Sequence, residues 1–239
     1  MNNKLPILSL ALAVLTASLV SLARPIRGAS AASSEEFPDI DLPYDAEVEY
    51  VESARNGVYV VYEWFDTGIE ALPNVSCSVD FQFSTTAVGQ SMGQGWRNGS
   101  RYSIVGIENG SSFYSFAYNK WVKFPTSADT ERHNFSIDPL SGVAAVDATV
   151  VEFSGTYRSE GGSIALLCRN CDNGTAQNWG CRGRLFSAQI YVDHDLVRDY
   201  IPVRFTNEEG LTEGALYDRI SGELFRNAGT GSFIIGPDL

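Results

Sequence analysis

The segment Val75-Ser-Cys-Ser-Val-Asp-Phe-Gln-Phe83 alternates without a break. Val75, Cys77, Val79, Phe81 and Phe83 fall on one side; Ser76, Ser78, Asp80 and Gln82 fall on the other. Successive side chains of a strand point to opposite faces, so this is a strand with one face in a core and one toward water. A helix would scatter the same apolar residues around its circumference. Such a strand needs partners at its edges and a second layer over its apolar face.

Further segments of the same kind follow. Arg101–Glu108 runs into the hairpin signal Asn109-Gly110. Phe113–Tyr118, Arg132–Ile137, Ala144–Phe153 and Ser163–Cys168 come next. Leu185–Val192 places Phe186, Ala188, Ile190 and Val192 on one face. Leu196–Phe205, Ala215–Tyr217, Glu223–Phe225 and Ser232–Ile235 close the chain. No stretch carries a helical apolar stripe, and no linker or repeat divides residues 47–239. The pattern predicts an all-β fold, a two-sheet antiparallel jelly-roll sandwich. Hydrophobic residues at 44% and aromatics at 12% are enough to fill its core.

The N-terminus reads differently. Lys4 precedes the uncharged, mostly apolar run Leu5–Ala23, and Ala29-Ser30-Ala31 is a small-x-small cleavage pattern. Residues 1–31 are expected to be a secretory signal peptide or, uncleaved, a membrane anchor, since about 20 apolar residues span a bilayer. Either way the remainder leaves the cytoplasm, and the expected location is secreted, periplasmic or cell envelope. Residues 32–46, with Pro38 and Pro43, read as an acidic linker. The whole chain carries −12. Beyond residue 31 there are 14 basic and 29 acidic residues, a net of −15. A polyanion is repelled by phosphate backbones, which argues against nucleic acid as a partner.

Several segments resemble concanavalin A-like (LamG-like) sandwich domains of bacterial and phage type. They are Glu49-Tyr-Val-Glu-Ser53, Asp66-Thr-Gly-Ile69 and Val79-Asp-Phe-Gln-Phe83. In the C-terminal half they are Gly183–Tyr191, Leu196–Arg204, Gly214–Arg219, Glu223–Phe225 and Asn227–Phe233. The resemblance spans roughly 47–239; the aromatic run Asn56–Phe65 departs from it. It implies a lectin-like or adhesion role, or that of a glucanase. Asp199, Arg204, Asp218 and Asn227 fall in these motifs, where polar side chains ordinarily hold turns.

Retaining glycosidases need two carboxylates about 5–5.5 Å apart. The glucanases that this fold resembles carry them as Glu-x-Asp-x-(x)-Glu on one strand. Glu47-Val-Glu-Tyr-Val-Glu52 is the nearest segment, and it lacks the central Asp. His133 lies on an alternating strand and His194 in a turn, so neither is matched to a catalytic nucleophile. Gly89–Gly99 lacks the Gly-Lys-Ser/Thr ending of a phosphate loop and reads as a flexible loop. Cys168, Cys171 and Cys181 lack the paired spacing of structural zinc sites, and no metal or cofactor is expected. Cys171 and Cys181 flank a polar segment, and in an exported chain a disulfide between them is expected. Trp96, Trp121 and Trp179 lie in or beside Gly- and Asn-rich segments, as sugar-stacking rings or as caps on the sandwich edges. The expected function is a non-catalytic binding module, with a glycan or a cell-surface protein as partner. The alternatives are a diverged glycoside hydrolase and a structural surface protein without a small ligand.

Overall fold

The computed structural model of this chain describes residues 42–57, 60–97, 100–108, 112–117, 120–155, 162–171 and 175–239. The expected signal peptide, most of the linker and the Asn109-Gly110 turn lie outside them. In chain order the strands are β1 (Ala46–Glu47), β2 (Val51–Ser53), β3 (Phe65–Glu70), β4 (Val75–Phe83), β5 (Gln90–Ser91), β6 (Gly93–Arg97) and β7 (Ser100–Glu108). β8 (Ser112–Ala117), β9 (Lys120–Lys123), β10 (Arg132–Asp138), β11 (Val143–Val146), β12 (Thr149–Glu152) and β13 (Ser163–Leu166) follow. The last are β14 (Cys168–Cys171), β15 (Thr175–Gly180), β16 (Gly183–Val192), β17 (Asp195–Thr206), β18 (Thr212–Asp218), β19 (Glu223–Phe225) and β20 (Ile234–Ile235). None of the described residues is helical.

The strands form an all-β sandwich of two sheets. One has the order β12-β11-β10-β4-β16-β17-β18-β19, with β1 on β17, β2 on β16 and β20 on β2. The other has the order β15-β14-β6-β7-β8-β9, with β13 joining β3 to β6 and β5 paired to β7. The pairings are antiparallel except β14 with β6. Val75, Cys77, Val79, Phe81 and Phe83 of β4 are all buried, as the alternation requires. Phe113 of β8 meets them from the opposite sheet, its ring 6.0 Å from Phe81 and 6.2 Å from Phe83. Phe65 and Phe233 stack at 4.4 Å elsewhere in the same core.

Four local expectations differ from the structure. Phe186 does not share the core face of β16. A β-bulge between Leu185 and Ser187 shifts the register, so Leu185, Ala188 and Ile190 face the core. Phe186 packs instead against Tyr50, with the Arg132 guanidinium 3.8 Å above its ring. Ala144–Phe153 is not one strand but the hairpin β11–β12, turned at Asp147, whose φ is +50°. The Gly-rich segment 89–99 is not a loop but carries β5 and β6. A Cβ at Gly93 would meet the Ala165 carbonyl at 2.5 Å, and one at Gly95 the Ala71 side chain at 2.6 Å. These glycines let crowded backbones pass, the strand use of a missing side chain. Finally, the fold starts before residue 47. Tyr44 packs on Tyr217 at 4.9 Å, and Asp45 N–H donates to the Arg204 carbonyl.

The turns follow from local chemistry. Asp193 and His194, at φ +51° and +69°, are the two central residues of the β16–β17 hairpin. Positive φ at both positions matches the right-handed twist of the flanking strands. Asp218 is fully buried at the β18–β19 turn, accepting from the N–H groups of Asp199 and Ile220 and from the Ser221 hydroxyl.

His133 of β10 joins three segments. Its Nδ1 lies 2.6 Å from Asp147 Oδ2, and its Nε2 lies 2.7 Å from Asp129 Oδ1. Only the imidazolium donates from both nitrogens. Burial opposes that charge, but its hydrogen bonds to the two carboxylates and their negative charge together outweigh burial and raise the His133 pKa. Burial pushes Asp129 up, but its hydrogen bond to His133, the Glu131 N–H and the His133 charge together outweigh that and lower its pKa.

Two outcomes are expected. Phe81→Ala removes the ring that joins the sheets and lowers unfolding free energy by about 3–5 kcal/mol, measured by urea titration. His133→Gln costs about 1–2 kcal/mol, since both carboxylates are half exposed. The raised histidine contributes fully below its unfolded value of about 6.5 and loses that contribution as pH rises through its folded value. Asp129 contributes above about 3.9 and loses it as pH falls through its folded value. Wild type and variant should therefore differ most between about pH 4 and 6.5, and converge above it.

Candidate functional site

Both sheets end on the same side of the sandwich in an edge strand, paired on one side. β9 closes the order of one sheet and β12 that of the other. A hydrogen bond of 3.1 Å between Thr126 Oγ1, just after β9, and Thr149 Oγ1 of β12 draws the margins together. Beside this bond the seam widens into an open cleft of about 490 Å³, lined by Lys120, Trp121, Glu152, Phe153 and Ser154.

Val122 of β9 points into the core and is 2% exposed, so Trp121 and Lys123 face outward; Lys120, at the start of the strand, is exposed as well and lines the cleft with Trp121. Trp121 is 48% exposed despite its size. Its ring meets Tyr114 of β8 edge-on at 4.9 Å, which leaves it held in one orientation. An indole fixed at the mouth of a cleft, with an ammonium and a carboxylate nearby, offers a flat apolar platform and polar groups of both signs.

Trp96 and Trp179 belong to the same sheet, on β6 and β15. Trp96 pairs with Cys171 along the backbone. Their side chains are outside the described part of the structure, so of the three candidate tryptophans only Trp121 has a described surrounding. Glu152 was not legible as a site residue, because Ala144–Phe153 reads as one continuous strand, and nothing marks Ser154 just beyond it.

The remaining polar candidates are engaged in the fold. Arg204 makes a two-pronged contact with Asp238, at 2.8 and 2.9 Å. Asp199 accepts from Arg219 at 2.6 Å and from Gln189 at 3.1 Å. Asn227 Oδ1 accepts from the N–H groups of Trp64 and Gly229, while its Nδ2 donates to the carbonyls of Tyr62 and Gly231. Asn56 pins the other side of that strap, accepting from Tyr62 and Glu63 N–H groups. Glu47 and Glu52 lie on different strands, and Glu52 is held 2.8 Å from Arg184. Among the described residues no group of three or more His, Cys, Asp and Glu side chains is placed to hold a metal.

Among the described residues Glu63 is the one carboxyl whose pKa burial pushes up, against weaker opposition from Arg55. It is fully enclosed, and its Oε1 has no hydrogen-bond partner. A Cβ at Gly231 would collide with that oxygen. The group is therefore walled in beneath the Asn227–Gly231 turn and has no path to a substrate.

No family model and no curated protein matches the chain. Among solved structures it is similar to the native heptameric SAP-like pentraxin from Limulus polyphemus. Identity is 10% and the TM-score 0.42, over 62% of this chain and 79% of that one.

The expected Cys171–Cys181 disulfide is not formed; Cys181 carries a free, fully buried thiol. The segment between the two cysteines is not a loop to be closed, because Thr175–Gly180 is β15 and pairs back on β14. Cys171 pairs with Thr175 at one end of this hairpin, and Gly180 pairs with Cys168 at the other. At about 3.3 Å per residue the two ends are roughly 10 Å apart, beyond the reach of a disulfide. Burial pushes the Cys181 thiol pKa up, which suppresses the reactive thiolate. Cys181 should resist iodoacetamide in the native protein and be alkylated on unfolding. Mapping of the unreduced protein should yield no peptide in which Cys181 is linked to Cys171.

Proposed function

We propose that the domain is an exported, non-catalytic binding module that recognises a glycan at the Trp121 cleft. The observation that carries this reading is the half-exposed Trp121 ring, held edge-on by Tyr114 at the rim of an open cleft. A sugar ring presents C–H surface to such a platform, and its hydroxyls reach Lys120, Glu152 and Ser154. Export is supported by Lys4, the run Leu5–Ala23 and the Ala29-Ser30-Ala31 pattern. The absence of catalysis is supported by the carboxyls themselves. Glu63 is enclosed, Glu52 is paired with Arg184, and Glu152 stands in the cleft with no second acid among its described lining residues.

Trp121→Ala should weaken glycan binding by about 1–3 kcal/mol, the scale of burying one large side chain. The fold should survive, since surface substitutions are usually mild. Calorimetry of the full-length protein in mild detergent, against a panel of soluble polysaccharides, reads the first. Circular dichroism reads the second. Release of reducing sugar from any panel member would replace the binding reading with a hydrolase.

A further inference from the structure

Lysine is rare in this chain and unevenly placed. Apart from Lys4, only Lys120 and Lys123 occur, and both are exposed on β9 on either side of Trp121. The described arginines of the first sheet are neutralised locally. Arg132 pairs with Asp80 at 2.7 Å, Arg184 with Glu52 at 2.8 Å, Arg204 with Asp238 at 2.8 Å and Arg219 with Asp199 at 2.6 Å. Among the described residues no carboxylate lies within ion-pair distance of Lys120 or Lys123.

Lysines commonly guard sheet edges against unwanted pairing. Edge protection does not explain their placement here. β12, β15 and β19 are edge strands too, and none carries a lysine. β12 even presents Val150 at 61% exposure. The two ammonium groups follow the tryptophan, not the edges. An acidic chain, with a net of −15 beyond residue 31, has thus kept beside its exposed indole two positive charges with no carboxylate partner among the described residues.

Resting on the glycan reading above, we propose that the Trp121 cleft takes an acidic glycan, a sugar chain bearing carboxylate or sulfate groups. Trp121 receives the apolar face of one ring. Lys120 in the cleft lining receives an acidic substituent of that ring, and Lys123, outside the lining but on the same strand face as Trp121, receives one of a neighbouring ring. Glu152 on the facing margin accepts hydroxyl protons and repels a second acidic group, so charge must sit toward β9. Both lysines are exposed, so the attraction is screened by salt over about 10 Å at 0.1 M.

The test uses the full-length protein and four polymers. Polygalacturonate carries carboxylates, dextran sulfate carries sulfates, and dextran and laminarin are neutral. At low ionic strength at least one acidic polymer should bind tenfold or more tightly than both neutral ones, and which one identifies the acidic group. Lys120→Gln with Lys123→Gln should lower that affinity about tenfold with an unchanged thermal midpoint, and added salt should do the same. Trp121→Ala should lower it as well. Neutral polymers binding as tightly as acidic ones, or indifference to the double lysine variant, overturns the acidic assignment and leaves the glycan reading standing. Acidic binding that survives Trp121→Ala is bare charge attraction and also overturns it. No binding of any of the four overturns both.

Discussion

The rings of Phe81 and Phe83 on β4 meet Phe113 of β8 across the gap between the sheets. Everything else in the molecule is arranged around that contact. β4 lies between β10 and β16 in the first sheet, so its register fixes theirs. Its inward residues are apolar at every second position, and a slip by one residue would turn all of them to water. The second sheet is fastened by the same rings, which sets the spacing of the two layers. The layers pack without closing, so each keeps margins. On one side those margins, β9 and β12, form the cleft.

The sequence makes the regular part of this arrangement legible and hides the irregular part. β4 is readable residue for residue because it is flanked on both sides and buried on one face, the situation that strict alternation reports. β16 is not, although its alternation looks equally clean, because one extra residue at the bulge reverses the faces downstream of Leu185. Period alone cannot reveal an insertion relative to a partner strand. Gly93 and Gly95 mislead in a different way. Glycine signals a turn when read alone, but here it answers to the Ala165 carbonyl and the Ala71 side chain, which are far away in sequence.

The candidate site divides along the same line. Trp121 is legible because a tryptophan directly after the polar Asn119-Lys120 is conspicuous in the sequence. Glu152 is not, because its place in the cleft depends on the turn at Asp147. Nothing in Asp147-Ala148 marks that turn. Asp147 adopts positive φ while its carboxylate engages His133 and the Asn134 N–H, both on the neighbouring strand. The disulfide expectation failed for a related reason. Sequence separation between Cys171 and Cys181 looks like a loop until Thr175–Gly180 is known to be a strand. Then the same ten positions become the two ends of a hairpin.

The chain joins the first sheet at β1, which pairs with β17, and the last residues run beside it through the bridge of Val48 with Asp238. From β17 to β12 the sheet crosses five strand intervals, by way of β16, β4, β10 and β11. At about 4.8 Å each this is roughly 24 Å. The start of the described fold and the proposed cleft are thereby set well apart along one sheet. Within this domain, anything joined near β1 would stand about five strand intervals from the mouth beside Trp121, so the two would not compete for space.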